Sequence, residues 1–111
     1  MQVVFHLSTV RADVVRKVFN NIKNLCAEAS DAEVHLVVNT DGVTILKQDS
    51  QFLEDIEKLN NDGVVFKACS NSIENTSSMK EDELNEEAEV VPSGVNELAK
   101  LQNKGFGYIR P

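Results

Sequence analysis

Short apolar runs alternate with amphipathic segments along nearly the whole chain, and this alternation limits the folds open to it. Gln2–Leu7 carries apolar residues on both faces, as a strand does when a parallel sheet is covered on two sides. From Ala12 the apolar residues fall at Ala12, Val15, Val18, Phe19, Ile22, Leu25 and Cys26. Spacings of three and four describe one face of a helix. Val34–Val38 is a second apolar run. Asn39-Thr40-Asp41-Gly42 follows it, with Asp41 placed to cap a short helical turn over Val43–Leu46. Ser50 is expected to cap a helix whose inner face holds Phe52, Leu53, Ile56 and Leu59. Asn60-Asn61-Asp62-Gly63 is a stop signal, and Val64–Ala68 is the third strand.

The next stretch holds two capping-box spacings, Asn71-x-x-Glu74 and Ser78-x-x-Glu81. They predict a short helical turn, a loop and a second short helix. Glu89-Val90-Val91 reads as a fourth strand closed by Pro92. Ser93 caps a last helix carrying Val95, Leu98, Ala99 and Leu101, Gly105 ends it, and Phe106–Ile109 is a fifth strand. Strand and helix alternate throughout. The fold class is therefore α/β: three layers, α/β/α, around a mainly parallel sheet of about five strands, flavodoxin-like in layering, with right-handed crossovers. The 111 residues fit one domain over 1–111.

In such sheets the ligand crevice lies outside the carboxyl ends of the strands. Those ends carry Ser8 and Thr9, Asn39 to Gly42, Cys69 to Asn71, and Pro92 to Gly94. Cys69 stands where a β-prone run meets helix-capping residues. Backbone N–H groups at a helix start favour thiolate over thiol. Two readings follow from position alone: a reactive thiol, or a small buried hydrophobe at a strand end. Asn39 and Asp41 are either ligand contacts or ordinary turn residues. Ser70 and Asn71 flank the thiol, and Ser93-Gly94 is placed to form a small anion-binding nest. Cys26 falls on the apolar helix face and reads as core. His6 and His35 sit inside strands and match no zinc spacing, so no metal is expected. The first strand is expected beside the third, which would let His6 act on Cys69.

Charge and punctuation exclude other functions. Eighteen acidic residues against eleven basic ones give a net charge of −7, which argues against nucleic-acid and membrane partners. Glu81, Asp82, Glu83, Glu86, Glu87 and Glu89 read as a solvated face, or as a docking surface for a basic partner. No Gly-x-x-x-x-Gly-Lys or Gly-x-Gly-x-x-Gly pattern occurs, so no nucleotide or flavin cofactor is expected. Two cysteines without a signal-like start point to reduced thiols and a cytoplasmic protein.

Three stretches together resemble the DsrE/DsrF-like family in its small single-domain branch. They are Val37-Val38-Asn39-Thr40-Asp41-Gly42-Val43, Phe66-Lys67-Ala68-Cys69-Ser70-Asn71-Ser72, and Val90-Val91-Pro92-Ser93-Gly94-Val95 with Leu101-Gln102-Asn103-Lys104-Gly105-Phe106-Gly107-Tyr108-Ile109. The resemblance implies a homo-oligomer, trimer or hexamer. It also implies a cysteine after the third strand that carries sulfur as a persulfide, and Cys69 occupies that position. Relay members follow this cysteine with small apolar residues, whereas Ser70-Asn71-Ser72 stands here. The expected function is a sulfur-relay or persulfide carrier with Cys69 as acceptor and a sulfur donor or acceptor protein as partner. The alternative is a non-catalytic ligand-binding or protein-interaction module at the loop edge. No nucleophile, base and orienting group stand together in the sequence, so sulfur transfer is the most that catalysis would amount to.

Overall fold

The computed structural model describes residues 1–111. Five strands, β1 (Gln2–Leu7), β2 (Glu33–Val38), β3 (Val65–Cys69), β4 (Ala88–Val91) and β5 (Gly107–Ile109), form one sheet in the order β4-β3-β2-β1-β5. Every pairing is parallel. The helices are α1 (Ala12–Glu28), α2 (Leu53–Asn61), α3 (Ser70–Asn75) and α4 (Gly94–Asn103). Three-ten turns run over Thr40–Leu46 and Glu81–Glu83.

The strand order explains the layering. From β1 to β4 the chain always steps the same way, so right-handed crossovers put α1, α2 and α3 on one face. From β4 to β5 it steps back across the sheet, and α4 must cross the other face. The two hydrophobic clusters follow this division. Val3, Phe5, Leu7, Val34, Leu36, Val38, Phe66 and Ala68 point into the large core under α1 and α2. Phe19 anchors that core, meeting Phe52 and Phe66 edge-on with ring centroids 5.9 and 6.3 Å apart. On the opposite face Val4 and Val37 meet Leu98, Leu101 and Phe106 in a cluster of five.

One helix cannot make that second face apolar throughout, and polar side chains fill the rest. His6, His35 and Lys67 are all buried there. Lys67 donates to Glu97 of α4, with both side chains about nine-tenths buried. His35 stacks edge-on against Phe106 and hydrogen-bonds Glu33 through Nε2, while its Nδ1 is sealed without a partner.

Several local expectations shift. The strand between β1 and β3 is β2, so β1 and β3 are not neighbours, contrary to the sequence reading. Parallel order is set by non-local pairing, which local pattern does not encode. Ser8 and Thr9, polar residues placed to cap the first helix, do not do so. Arg11 takes that place, and Thr9 Oγ1 accepts from its N–H. Asn39, rather than Asp41, precedes the first three-ten turn. The helix expected near Asn71 starts one residue earlier, so Cys69 itself is its N-cap. Its expected successor is a single three-ten turn, in which the Lys80 N–H donates to Glu83. Glu81, Asp82, Glu86 and Glu89 are exposed, whereas Glu83 turns toward Lys47.

Two measurements test the polar layer. Glu97→Gln leaves the Lys67 ammonium buried without its counter-charge, and should cost about 3 kcal/mol of unfolding free energy in urea titrations at pH 7. Burial, and then the Lys67 charge, hold the His35 imidazole below its ordinary 6.5. The unfolded chain therefore takes up this proton more readily than the folded one, and stability falls as pH drops below 6.5. His35→Leu should flatten the stability change between pH 7 and pH 5.5, leaving the loss below pH 4.5 that comes from Glu97. The Glu97 carboxyl is held low first by its hydrogen bond from Lys67.

Candidate functional site: a thiol at the sheet's switch point

Cys69 closes β3, and its strand partner is Val91, the last residue of β4. Beyond this pair the chain parts. β3 continues into α3 on one face, and β4 continues into α4 on the other. Neighbouring strands whose connections leave on opposite faces open a crevice between them. Alternation along β3 sends Phe66 and Ala68 into the large core, and Lys67 and Cys69 toward α4.

Close approach of α4 completes the site. A Cβ added to Gly94 would lie 3.2 Å from the Cβ atoms of both Cys69 and Asn39, and 3.5 Å from Val37 Cγ1. Only glycine lets the first turn of α4 come down this far. Ser93 caps the helix by accepting from the Asn96 N–H at 3.2 Å, which fixes where the turn begins.

The thiol is only 5% exposed. Burial pushes its pKa up, but hydrogen bonds outweigh it and leave the thiol below its ordinary 9.0. The donors are the Ser72 hydroxyl and the backbone N–H groups of Gly94, Ser72 and Asn71. They come from the starts of two helices on opposite faces of the sheet. Ser72 is itself set in place: its Oγ accepts from the Thr40 N–H at 2.8 Å, leaving its own proton for sulfur. Thr40 meets this demand with φ of 51°, the only non-glycine residue in the left-handed region. Its hydroxyl donates to the carbonyl of Ser8, tying the ends of β1 and β2 together.

Register places Asn39 next to the thiol. Val38 pairs with Ala68, so one step further sets Asn39 beside Cys69 on the α4 face. The same face carries His6 on the next strand. His6 Nε2 lies 2.9 Å from Asn39 Oδ1, and Nδ1 lies 2.7 Å from the Tyr108 hydroxyl. Arg110 reaches over to donate to Ser8 at 2.9 Å.

The structure thus gathers Cys69, Asn39, Asn71 and Gly94, with Ser93 as the cap behind them. Asp41 is exposed in the three-ten turn, and its side chain makes no hydrogen bond to this group. Ser70 turns away to line a neighbouring hollow of about 390 Å³ with Ile73, Glu74, Thr76, Met79 and Lys80. That hollow does not reach Cys69. Sequence reading missed Ser72, Thr40 and Tyr108. The signal for Ser72 was its place three residues past the thiol, the distance at which a helix-start hydroxyl turns back. Cys26 packs beside the core near the sheet's amino edge, its thiol raised by burial and by Asp62. No group of three or more His, Cys, Asp or Glu side chains is placed to hold a metal ion.

Chemically the arrangement is a thiolate cradle. Removing the Ser72 hydroxyl should raise the Cys69 pKa by about one unit, since a hydrogen bond to a charged group contributes about 1.5 kcal/mol. The pH dependence of iodoacetamide alkylation of Ser72→Ala, followed by intact mass, measures this directly. An unchanged midpoint would mean that the backbone donors alone set the thiol.

A family model described as the DsrE/DsrF-like family matches residues 3–111. No curated protein matches the chain. Among solved structures, a protein of unknown function from Methanobacterium thermoautotrophicum is similar at 36% identity and TM-score 0.94, over 99% of this chain and 98% of that one. The ychN protein of E. coli is similar at 16% identity and TM-score 0.80, over the whole of both chains. A conserved protein of unknown function from Bacteroides thetaiotaomicron shares 16% identity with TM-score 0.76, over 99% and 94%. The two likenesses at 16% speak for the fold alone. Matched by the family model along nearly its whole length, the chain belongs to the DsrE/DsrF-like family.

Proposed function

We propose that this protein is a sulfur-relay carrier that holds a sulfane sulfur as a persulfide on Cys69. The observation that carries the reading is the setting of the buried Cys69: the first turn of α4 comes down on it at Gly94 and the start of α3 faces it with Ser72, groups that favour the thiolate over the thiol. A thiol that served only as core filling would have burial without those donors, as Cys26 does.

The transfer step needs nothing beyond the donor. The Cys69 thiolate uses a lone pair to bond the outer sulfur of a donor persulfide. The donor's S–S bond breaks, and its electron pair leaves on the inner sulfur, which becomes a thiolate and takes up a proton. Cys69 is oxidised to the persulfide as the donor is reduced to a thiol, so no external oxidant enters. The attacking form is the thiolate, which the groups around Cys69 favour.

The same reading makes the protein a cytoplasmic homo-oligomer, trimer or hexamer, which receives sulfur from one protein and passes it to another. Exposed Val95 on α4, with Tyr108 and Ile109 on β5, stand at the α4 face and the β5 edge, where subunit contacts would cover them. No helix is long and apolar enough to cross a membrane.

A ligand-binding module at the loop edge is the second reading. It draws on the hollow of about 390 Å³ beside Ser70. A ligand there would raise the melting temperature by mass action and leave Cys69 unmodified.

Intact-mass spectrometry after exposure to cysteine persulfide separates the two. The carrier gains one sulfur in wild type and in Cys26→Ser, and none in Cys69→Ser. No gain in wild type, with iodoacetamide also slow at pH 8, would sink the carrier reading.

A further inference from the structure

A line of hydrogen bonds crosses the α4 face of the sheet toward Cys69. It starts at Tyr108 on β5, passes through the buried ring of His6 on β1, and ends on Asn39 at the end of β2. Tyr108 and His6 are 102 residues apart in sequence, so the line exists only in the folded sheet.

Its chemistry has a direction. Asn39 Oδ1 only accepts, so His6 Nε2 carries a proton and donates. In the neutral ring Nδ1 then accepts, and the Tyr108 hydroxyl donates to it. By donating to Nδ1 the phenol supports the tautomer that keeps the Asn39 oxygen turned to His6. The other end, Nδ2, forms no hydrogen bond within the protein, and it is not among the sealed polar atoms. Two N–H donors are therefore left open on the residue that register places beside Cys69. The Cβ atoms of Asn39 and Cys69 each lie 3.2 Å from one point above Gly94, so they are within twice that distance of each other.

Asn39 is not among the groups that hydrogen-bond the Cys69 sulfur itself. Those groups act on Sγ itself. A second sulfur bonded to Sγ stands about 2 Å further out, past that cradle. Resting on the carrier reading of Cys69, we infer that the Asn39 amide, aimed by His6 and Tyr108, is the donor for the outer, anionic sulfur of the persulfide. The cradle holds the empty carrier, and Asn39 recognises the loaded one. Asn39 touches the bound sulfur, while His6 and Tyr108 are positioning residues.

The balance is a sulfur exchange between two anion pairs. The Cys69 thiolate and a donor persulfide anion give the Cys69 persulfide anion and the donor thiolate, one S–S bond forming as another breaks. A donor that acts only on the outer sulfur shifts this equilibrium and leaves the thiolate's own titration alone.

The test is the exchange constant against defined ratios of cysteine persulfide and cysteine, read by intact mass at pH 7.5, beside the pH midpoint of iodoacetamide alkylation. Asn39→Leu should lower the exchange constant about tenfold, the worth of one hydrogen bond to a charged group, with the alkylation midpoint as in wild type. Tyr108→Phe, a change at a half-exposed position that removes one oxygen, frees the tautomer and should lower the constant about threefold. His6→Gln retains an N–H to meet Asn39 Oδ1 and should recover most of what His6→Leu loses. Equal exchange constants in wild type, Asn39→Leu and Tyr108→Phe would overturn the inference while leaving the carrier standing. A parallel shift of the alkylation midpoint would also overturn it, since Asn39 would then be shaping the empty site. A wild type that takes no sulfur would overturn both.

Discussion

The descent of α4 onto the end of β3 is the contact on which this structure turns. It is set by topology before it is set by any side chain. Four strands are laid down in one direction and the fifth is added at the far edge, so the chain must cross the sheet once on its otherwise bare face. α4 makes that crossing, and its start falls where β3 and β4 send their connections apart. Gly94 then removes the one atom that would hold the helix off Cys69 and Asn39. The N–H of Gly94 reaches sulfur from one face while those of Asn71 and Ser72 reach it from the other.

That single crossing also accounts for the unusual interior of the second face. A lone helix with Leu98 and Leu101 offers a narrow apolar stripe, too narrow to cover five strands. The strands answer with side chains that are polar at the tip. Lys67 lies along β3 and pairs with Glu97 in the first turn of α4. The pair holds the helix in one register against the sheet, and a helix free to slide would carry Gly94 away from the thiol. Position matters more here than net stabilisation, since a buried ion pair is weak evidence for the latter.

Much of the fold was legible in the chain and part of it was not, for definite reasons. Apolar patterning marked the central strands and all the longer helices because these are buried: α1 through Val15, Val18, Phe19 and Ile22, α4 through Leu98 and Leu101. Ser93 announced its helix because a cap acts within three residues. Strand order is a different kind of information. Nothing local to Gln2–Leu7 says that β2 and β5 flank it, and so His6 was aimed at the wrong neighbour. The site divides the same way. Cys69, Asn71 and Gly94 were visible as turn and cap residues at strand ends. Tyr108 was not, because its partner is at the other end of the chain. Thr40 was hidden by its type, since a β-branched residue gives no hint of a left-handed backbone.

The kind of donor chosen for the sulfur bears on what the site tolerates. Three of the four groups that hold Cys69 are backbone N–H groups, and substitution does not delete those unless it brings proline. The relay-type residues after the cysteine therefore need not be retained for the thiol to be held. Ser70-Asn71-Ser72 presents the same N–H groups as a small apolar sequence would. What the serine adds at 72 is a fourth donor that draws Thr40, and with it the end of β2, toward the sulfur. Asn39 belongs to that same strand end. The polar sequence after Cys69 thus couples two strand ends that an apolar one would leave independent, and it places the Asn39 amide beside the thiol at the cost of one strained residue.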